Sequence, residues 1–200
     1  EALRSMNRPR EALGILQGMG RDGPHRETPR YWTYRAGAHH VLARHRHELR
    51  VAREARRTNP EALWALELEA WALAALGRVE EGDEVVRERL ARSHPGPGHP
   101  LEFILNTALE LRAHGQTEAA DRVVGWGVEW FGALSPAQQA DPRHLAYHAL
   151  ILMESGSRTA AEAVLRQVAR AHPLEASLAG YIGVLAAQRG DRDEARRIAD

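Results

Sequence analysis

The 200-residue chain contains no cysteine and no lysine. Without cysteine there are no disulfides, no thiolate metal ligands and no thiol nucleophile, and the compartment stays open, with the cytoplasm favoured. Without lysine, all 27 basic side chains are arginine, a uniformity that points to base-composition bias in the source genome. Arginine stays charged and pairs bidentately, so carboxylates near it are held firmly. Aromatic residues are scarce, at 6%, and long alternating apolar–polar runs are missing, so β patterning is nearly absent. No apolar run approaches the ~18 residues that a membrane-spanning helix needs. An excess of charge of either sign is lacking too: 27 basic residues face 27 acidic ones, which removes any global electrostatic case for nucleic acid or an anionic membrane. Locally the balance shifts, with 13 arginines against 6 acids over residues 1–57 and 8 acids against 2 arginines over 61–88. The catalytic and phosphate-cradling patterns HExxH, GxSxG, GxxxxGK[ST] and GxGxxG do not occur. The chain opens without an initiator methionine and stops inside a helical pattern, so both ends read as cut from something longer.

What the sequence has in abundance is alanine, leucine, glutamate and arginine, all good helix formers, and the expected class is all-α. Thr28-Pro29, Asn59-Pro60 and Asp141-Pro142 each set a capping side chain before a proline suited to a first helical turn. Pro100 and Pro173 are expected to open helices in the same way, and Asp191 with Glu194 forms a capping-box pattern. Second starts follow Asn7, before Pro9 and "REALGIL", and Ser157, before "RTAAEAVL". The outcome is a series of helix pairs, about 14 residues per helix, with turns at Asn7, Ala43, Gly77, Gly115, Gly156 and Gly190. Those turns lie 36, 34, 38, 41 and 34 residues apart. Register sharpens the pattern. Seven residues before a turn stand Ala36, Ala70, Ala108, Ala149 and Gly183; five after it stand Ala12, Glu48, Gly82, Ala120, Ala161 and Ala195. Ten of these eleven residues are small, and only Glu48 departs.

A repeat near 34 residues, with small residues at two fixed phases where paired helices must cross closely, resembles the tetratricopeptide repeat. Trp32 matches the family's first-helix tryptophan, and Pro24, Pro60 and Pro173 match its repeat-closing proline; Pro95 closes one residue late. Glu69 and His148 at normally apolar sites, and Arg89 at a normally small one, depart from the pattern. The resemblance implies a right-handed α–α superhelix, a solenoid of antiparallel helix pairs forming one array over residues 1–200. It comprises a half repeat at 1–24, repeats at about 29–60, 60–95, 100–135 and 142–173, and a half repeat at 173–200. Between repeats, His94 to Pro100 and Phe131 to Pro142 form longer loops, the second with a short helix expected from Ser135-Pro136.

In such a superhelix the first helix of each pair lines the concave side. The resemblance places Arg30, Thr33, Gly37 and His40 there, then Trp64, Glu67 and Trp71, then Glu102, Leu105, Leu109 and Arg112, then Arg143, Ala146, Leu150 and Met153, and finally Val184 and Gln188. An apolar strip of Trp64, Trp71, Leu105, Leu109, Leu150 and Met153, rimmed by Glu67, Glu102, Arg112 and Arg143, suits a peptide with hydrophobic anchors. The lysine-based clamp by which some relatives grip chaperone tails does not carry over, since Thr33 and Gly37 stand at those sites. The clusters His39, His40, His45, His47 and His144, His148 are expected to be packed or solvated, with no metal. Arg46, Arg50, Arg53 and Arg57 are expected to form a solvated face. The reading is therefore a non-catalytic scaffold without cofactor, a regulatory or assembly module of a larger bacterial protein. Its partner would be a protein, a peptide or another domain of its own chain, rather than nucleic acid or membrane. The alternative is a structural solenoid that self-associates end to end.

Overall fold

The computed structural model describes residues 8–19, 23, 28–92, 98–171, 186–187 and 190–199. Asn7, Pro24, His94 to Pro97, Pro173, Gly183, Val184 and Gln188 lie outside the described residues. All elements among the described residues are helices: α1 (Pro9–Gly18), α2 (Pro29–Val41), α3 (His45–Thr58), α4 (Leu63–Ala75), α5 (Val79–Ala91), α6 (Pro100–Ala113), α7 (Thr117–Gly132), α8 (Pro136–Gln139), α9 (Pro142–Glu154), α10 (Arg158–Ala171) and α11 (Arg192–Ala199). None of them is long and apolar enough to cross a membrane.

The starts follow local chemistry. Pro9, Pro29, Pro100 and Pro142 open α1, α2, α6 and α9, where the missing proline N–H would have had no helical partner. Asp141 accepts from the amides of Arg143 (2.8 Å) and His144 (3.2 Å), and His99 Nδ1 accepts from Leu101 at 3.1 Å. Ser135 and Gln138 close a reciprocal capping box over the four residues of α8. Asn59-Pro60 behaves differently from expectation. Asn59 caps the end of α3, its amide and its side chain both bonding Ala55 O, and a turn from Asn59 to Ala62 delays the next helix until Leu63. The end of one helix competes for the same asparagine as the start of the next, and here the end wins.

The five described turns share one conformation. Ala43, Gly77, Gly115, Gly156 and Gly190 all have positive φ, from 52° to 86°. In each, the following amide reaches back to the carbonyl five residues earlier: Arg44 to His39, Arg78 to Leu73, Gln116 to Leu111, Ser157 to Leu152 and Asp191 to Ala186. That bond satisfies a carbonyl the helix end would leave open and reverses the chain sharply into the next helix.

Two compact units emerge, residues 1–120 and 121–200. In the first, α1 packs on α2, α2 on α3, α3 on α4 and α4 on α5, while α2, α4 and α6 touch along their sides. Its core includes Trp32, Ala36, Val51, Ala52, Ala55, Ala65 and Leu68. In the second, α9 packs on α10 around Ala149, Leu165 and Val168, and α8 leans on α9. The small-residue phases explain the close approach. Ala36, Ala70, Ala108, Ala120, Ala149 and Ala161 are all buried, where a larger side chain would hold the paired backbones apart. The fold is an all-helical repeat of antiparallel pairs, as the resemblance implies.

Candidate functional site

The departures from the repeat pattern are where polar chemistry collects. Glu69 is buried in α4, and Arg53 and Arg56 of α3 both donate to it at 2.9 Å. Arg53 reaches on to Glu81 and Arg56 to Glu88 of α5, while Arg92 joins Glu88 to Glu61. Arg53 and Arg56 thus start an ion-pair ladder across α3, α4 and α5, beside an open groove of about 1080 Å³ that Arg46, Arg50 and Arg57 also line. Of the four arginines expected on a solvated face, Arg46, Arg50 and Arg57 are exposed, whereas Arg53 is half-buried and, with its neighbour Arg56, committed to these carboxylates.

Arg89 is fully buried in α5, at 0% exposure. Its Nη2 donates to Gly98 O at 3.1 Å, its guanidinium lies over the Phe103 ring at 5.7 Å, and its Nε sits 3.5 Å from Glu67 Oε1. Burial lowers the Arg89 pKa and raises that of Glu67, each against the pull of its partner. Desolvation therefore outweighs attraction on both sides of the pair, as expected where the two charges are separated by 3.5 Å and only partly hydrogen-bonded. Glu67, expected on the rim of a binding strip, is turned to this pair.

The other residues of the expected strip sort by unit. In the first, Trp64 and Trp71 are half-buried and pack against the core cluster, with Trp71 Nε1 shielded and without a hydrogen-bond partner. Leu105 and Arg112 are half-buried, and Leu109 stands out at 46% exposure. In the second, Arg143 is exposed, Leu150 is half-buried, and Met153 packs against the Ala149 cluster. The strip is consequently less open at its tryptophans than its spacing implies, because each large indole reaches back over the neighbouring helices.

The histidines divide. His148 lies flat on Phe131, centroids 3.7 Å apart, and burial lowers its pKa; His144 contacts Trp130. His39 stacks on His47, and burial, reinforced by His47 and nearby arginines, holds its pKa down to about 4. His40 and His45 instead converge on Glu48, the single non-small residue at the crossing phase, buried at 4% exposure. Glu110 and His114, at the end of α6, join the same place. Both lie about seventy residues from His40 and only packing brings them near, so the sequence signals the place through Glu48 alone.

No model of a known family matches the chain, and no curated protein matches its sequence. Solved structures do resemble it. PilW, a widely conserved type IV pilus biogenesis factor, superposes with a TM-score of 0.52 over 98% of this chain and 86% of its own, at 18% identity. MamA from Desulfovibrio magneticus RS-1 covers 86% of this chain and 89% of its own at 17% identity and a TM-score of 0.41. YrrB, a TPR protein with an unusual peptide-binding site, covers 86% and 83% at 14% identity and a TM-score of 0.40. With the shared turn geometry, the buried small residues and the PilW superposition together, the chain is in fold a tetratricopeptide-like helical-repeat protein.

Proposed function

We propose that the chain is a non-catalytic scaffold that captures a protein or peptide segment on its first helices, in a regulatory or assembly role. The partner is a separate protein or a further domain of the same polypeptide. What supports this reading is that α4 packs beside both α2 and α6, and that Leu105 and Leu109 stand one turn apart on α6 with Leu109 at 46% exposure. An exposed leucine beside half-buried apolar neighbours is an anchor site for a hydrophobic side chain. Arg112 supplies charge in the same helix, and in the second unit Arg143, Leu150 and Met153 of α9 offer a comparable stretch. Repeat folds of this kind expose long surfaces of neighbouring helices that serve recognition.

Leu105 and Leu109 make the sharper probe, because Trp64 and Trp71 also support the core. Peptides selected from a random display library against the full chain should lose binding to the Leu105→Asp/Leu109→Asp variant, with its helical circular dichroism unchanged. Retention of the selected peptides by that variant would remove this face from consideration. Sedimentation over a range of concentrations separates the alternative, since a self-stacking solenoid grows with concentration and a monomeric peptide binder does not.

A further inference from the structure

We propose that His40, His45, Glu110 and His114, supported by Glu48, form a zinc-class divalent cation site that ties the first helix pair to the third. His40 lies in the last turn of α2, His45 opens α3, and Glu48 follows one turn later; Glu110 lies in the last turn of α6 and His114 caps it. His40, His45 and Glu48 present ligand atoms within 4.8 Å of one another, and so do His40, Glu110 and His114. The cluster therefore joins residues of α2, α3 and α6, with α4 packed beside both α2 and α6.

The hydrogen bonds decide which nitrogens face the ion. Glu48 Oε1 lies 3.1 Å from His40 Nδ1 and Oε2 lies 3.0 Å from His45 Nδ1. With both imidazoles donating from Nδ1, each Nε2 carries a lone pair, the arrangement by which an outer carboxylate orients metal-binding histidines. His40 Nε2 then faces Glu110 Oε1 at 3.6 Å, and His114 Nε2 lies 3.0 Å from the same oxygen. That oxygen is shielded from solvent and receives no hydrogen bond of good geometry. A lone pair set against a carboxylate oxygen is repulsive until a cation lies between them. Ring spacing is close to that of one ion for two pairs and wider for the third: centroids are 5.3 Å apart for His40 and His45, 5.2 Å for His45 and His114, and 6.3 Å for His40 and His114, which has to close by about 1 Å on binding. Three imidazoles around a tetrahedral ion at Zn–N ~2.0–2.1 Å have centroids about 5.2 Å apart. The rings meet near-perpendicular rather than stacked. Two nitrogens, of His40 and His114, and the Glu110 carboxylate already lie within 4.8 Å of one another, and the neighbouring His45 ring supplies the fourth ligand of a tetrahedral set of the kind zinc takes once it swings in. The negative ends of the α2 and α6 dipoles favour a cation there.

The proposal is independent of the peptide-binding face. Zinc titrated into the chelator-stripped 200-residue chain, followed by calorimetry, should bind with one equivalent per chain, and cobalt should give the intense visible absorption of a tetrahedral site. His114→Ala, at a partly exposed position, should weaken binding at least ~100-fold, and Glu48→Gln about 10–100-fold as an outer partner. His47→Ala, at an exposed histidine outside the cluster, should leave affinity unchanged. Zinc should also raise the melting temperature of the natural chain and not that of His114→Ala; Glu110→Gln serves as a second variant should that one fail to fold. Absence of a one-equivalent isotherm, or equal affinity in the natural chain, His114→Ala and Glu110→Gln, overturns the site. So does a loss in His47→Ala as large as that in His114→Ala.

Discussion

Single residues set the strain and the pH response of this protein. Ala43 occupies the left-handed turn position that glycine fills at 77, 115, 156 and 190, with φ at 52°. A β-carbon there costs roughly 1–2 kcal/mol, so Ala43→Gly should stabilise the chain by about 0.5–1 kcal/mol after the entropic cost of glycine, itself about 0.5–1 kcal/mol, is deducted. Urea unfolding would read this as a higher midpoint at constant slope. His148 illustrates the opposite case, a polar ring pressed against Phe131 with a lowered pKa because burial disfavours the imidazolium. A base whose folded pKa lies below its unfolded value of 6.5 has its full stability above that value. As pH falls through 6.5 the unfolded chain takes up the proton first, and stability declines. The urea midpoint should therefore drop between pH 7.5 and 5.5, and His148→Phe should make that drop smaller. Glu48 shows how much one residue can disclose: a carboxylate at a phase reserved for small side chains requires buried partners, and His40 and His45 supply them.

At the scale of the helix pair, packing distance is the controlling quantity. Gly82 sits inside α5, and a β-carbon built there would meet Leu73 Cβ at 3.8 Å, an ordinary contact. Gly82→Ala should therefore raise stability by about 0.5–1 kcal/mol through helix propensity alone. Ala70 marks the other helix of the same pair and is buried at 1% exposure. Ala70→Leu should cost about 1–3 kcal/mol, because the added carbons force the crossing apart. Thermal melts of the two variants should move in opposite directions; a loss on Gly82→Ala would show that the crossing already has no slack. Elements were legible where a side chain can do only one job. Asp141 and Ser135 begin helices as their spacing predicts, whereas Asn59 is equally fit to end α3 or start α4, and only the fold chose.

At the scale of the molecule, helices among the described residues pack on their chain neighbours or on the next helix but one, so strain in one pair should stay local. Leu165 is buried with Ala149 and Val168. Leu165→Ala should cost about 2–5 kcal/mol and accelerate hydrogen exchange in α9 and α10 while leaving α3 and α4 at their original rates. Uniform acceleration through both units would refute this locality. Helix formers, a near-constant spacing of turns and small residues at two phases are properties of local sequence, and they determined the all-helical repeat and its close crossings unaided. What they left undecided were the fates of long side chains: the inward turn of Glu67 to Arg89, the packing of Trp64 and Trp71 against the core, and the meeting of His40 with Glu110 and His114. Those depend on which helices come side by side, because a polar or aromatic group several bonds from the backbone finds its partner in space, far beyond the reach of its neighbours in the chain.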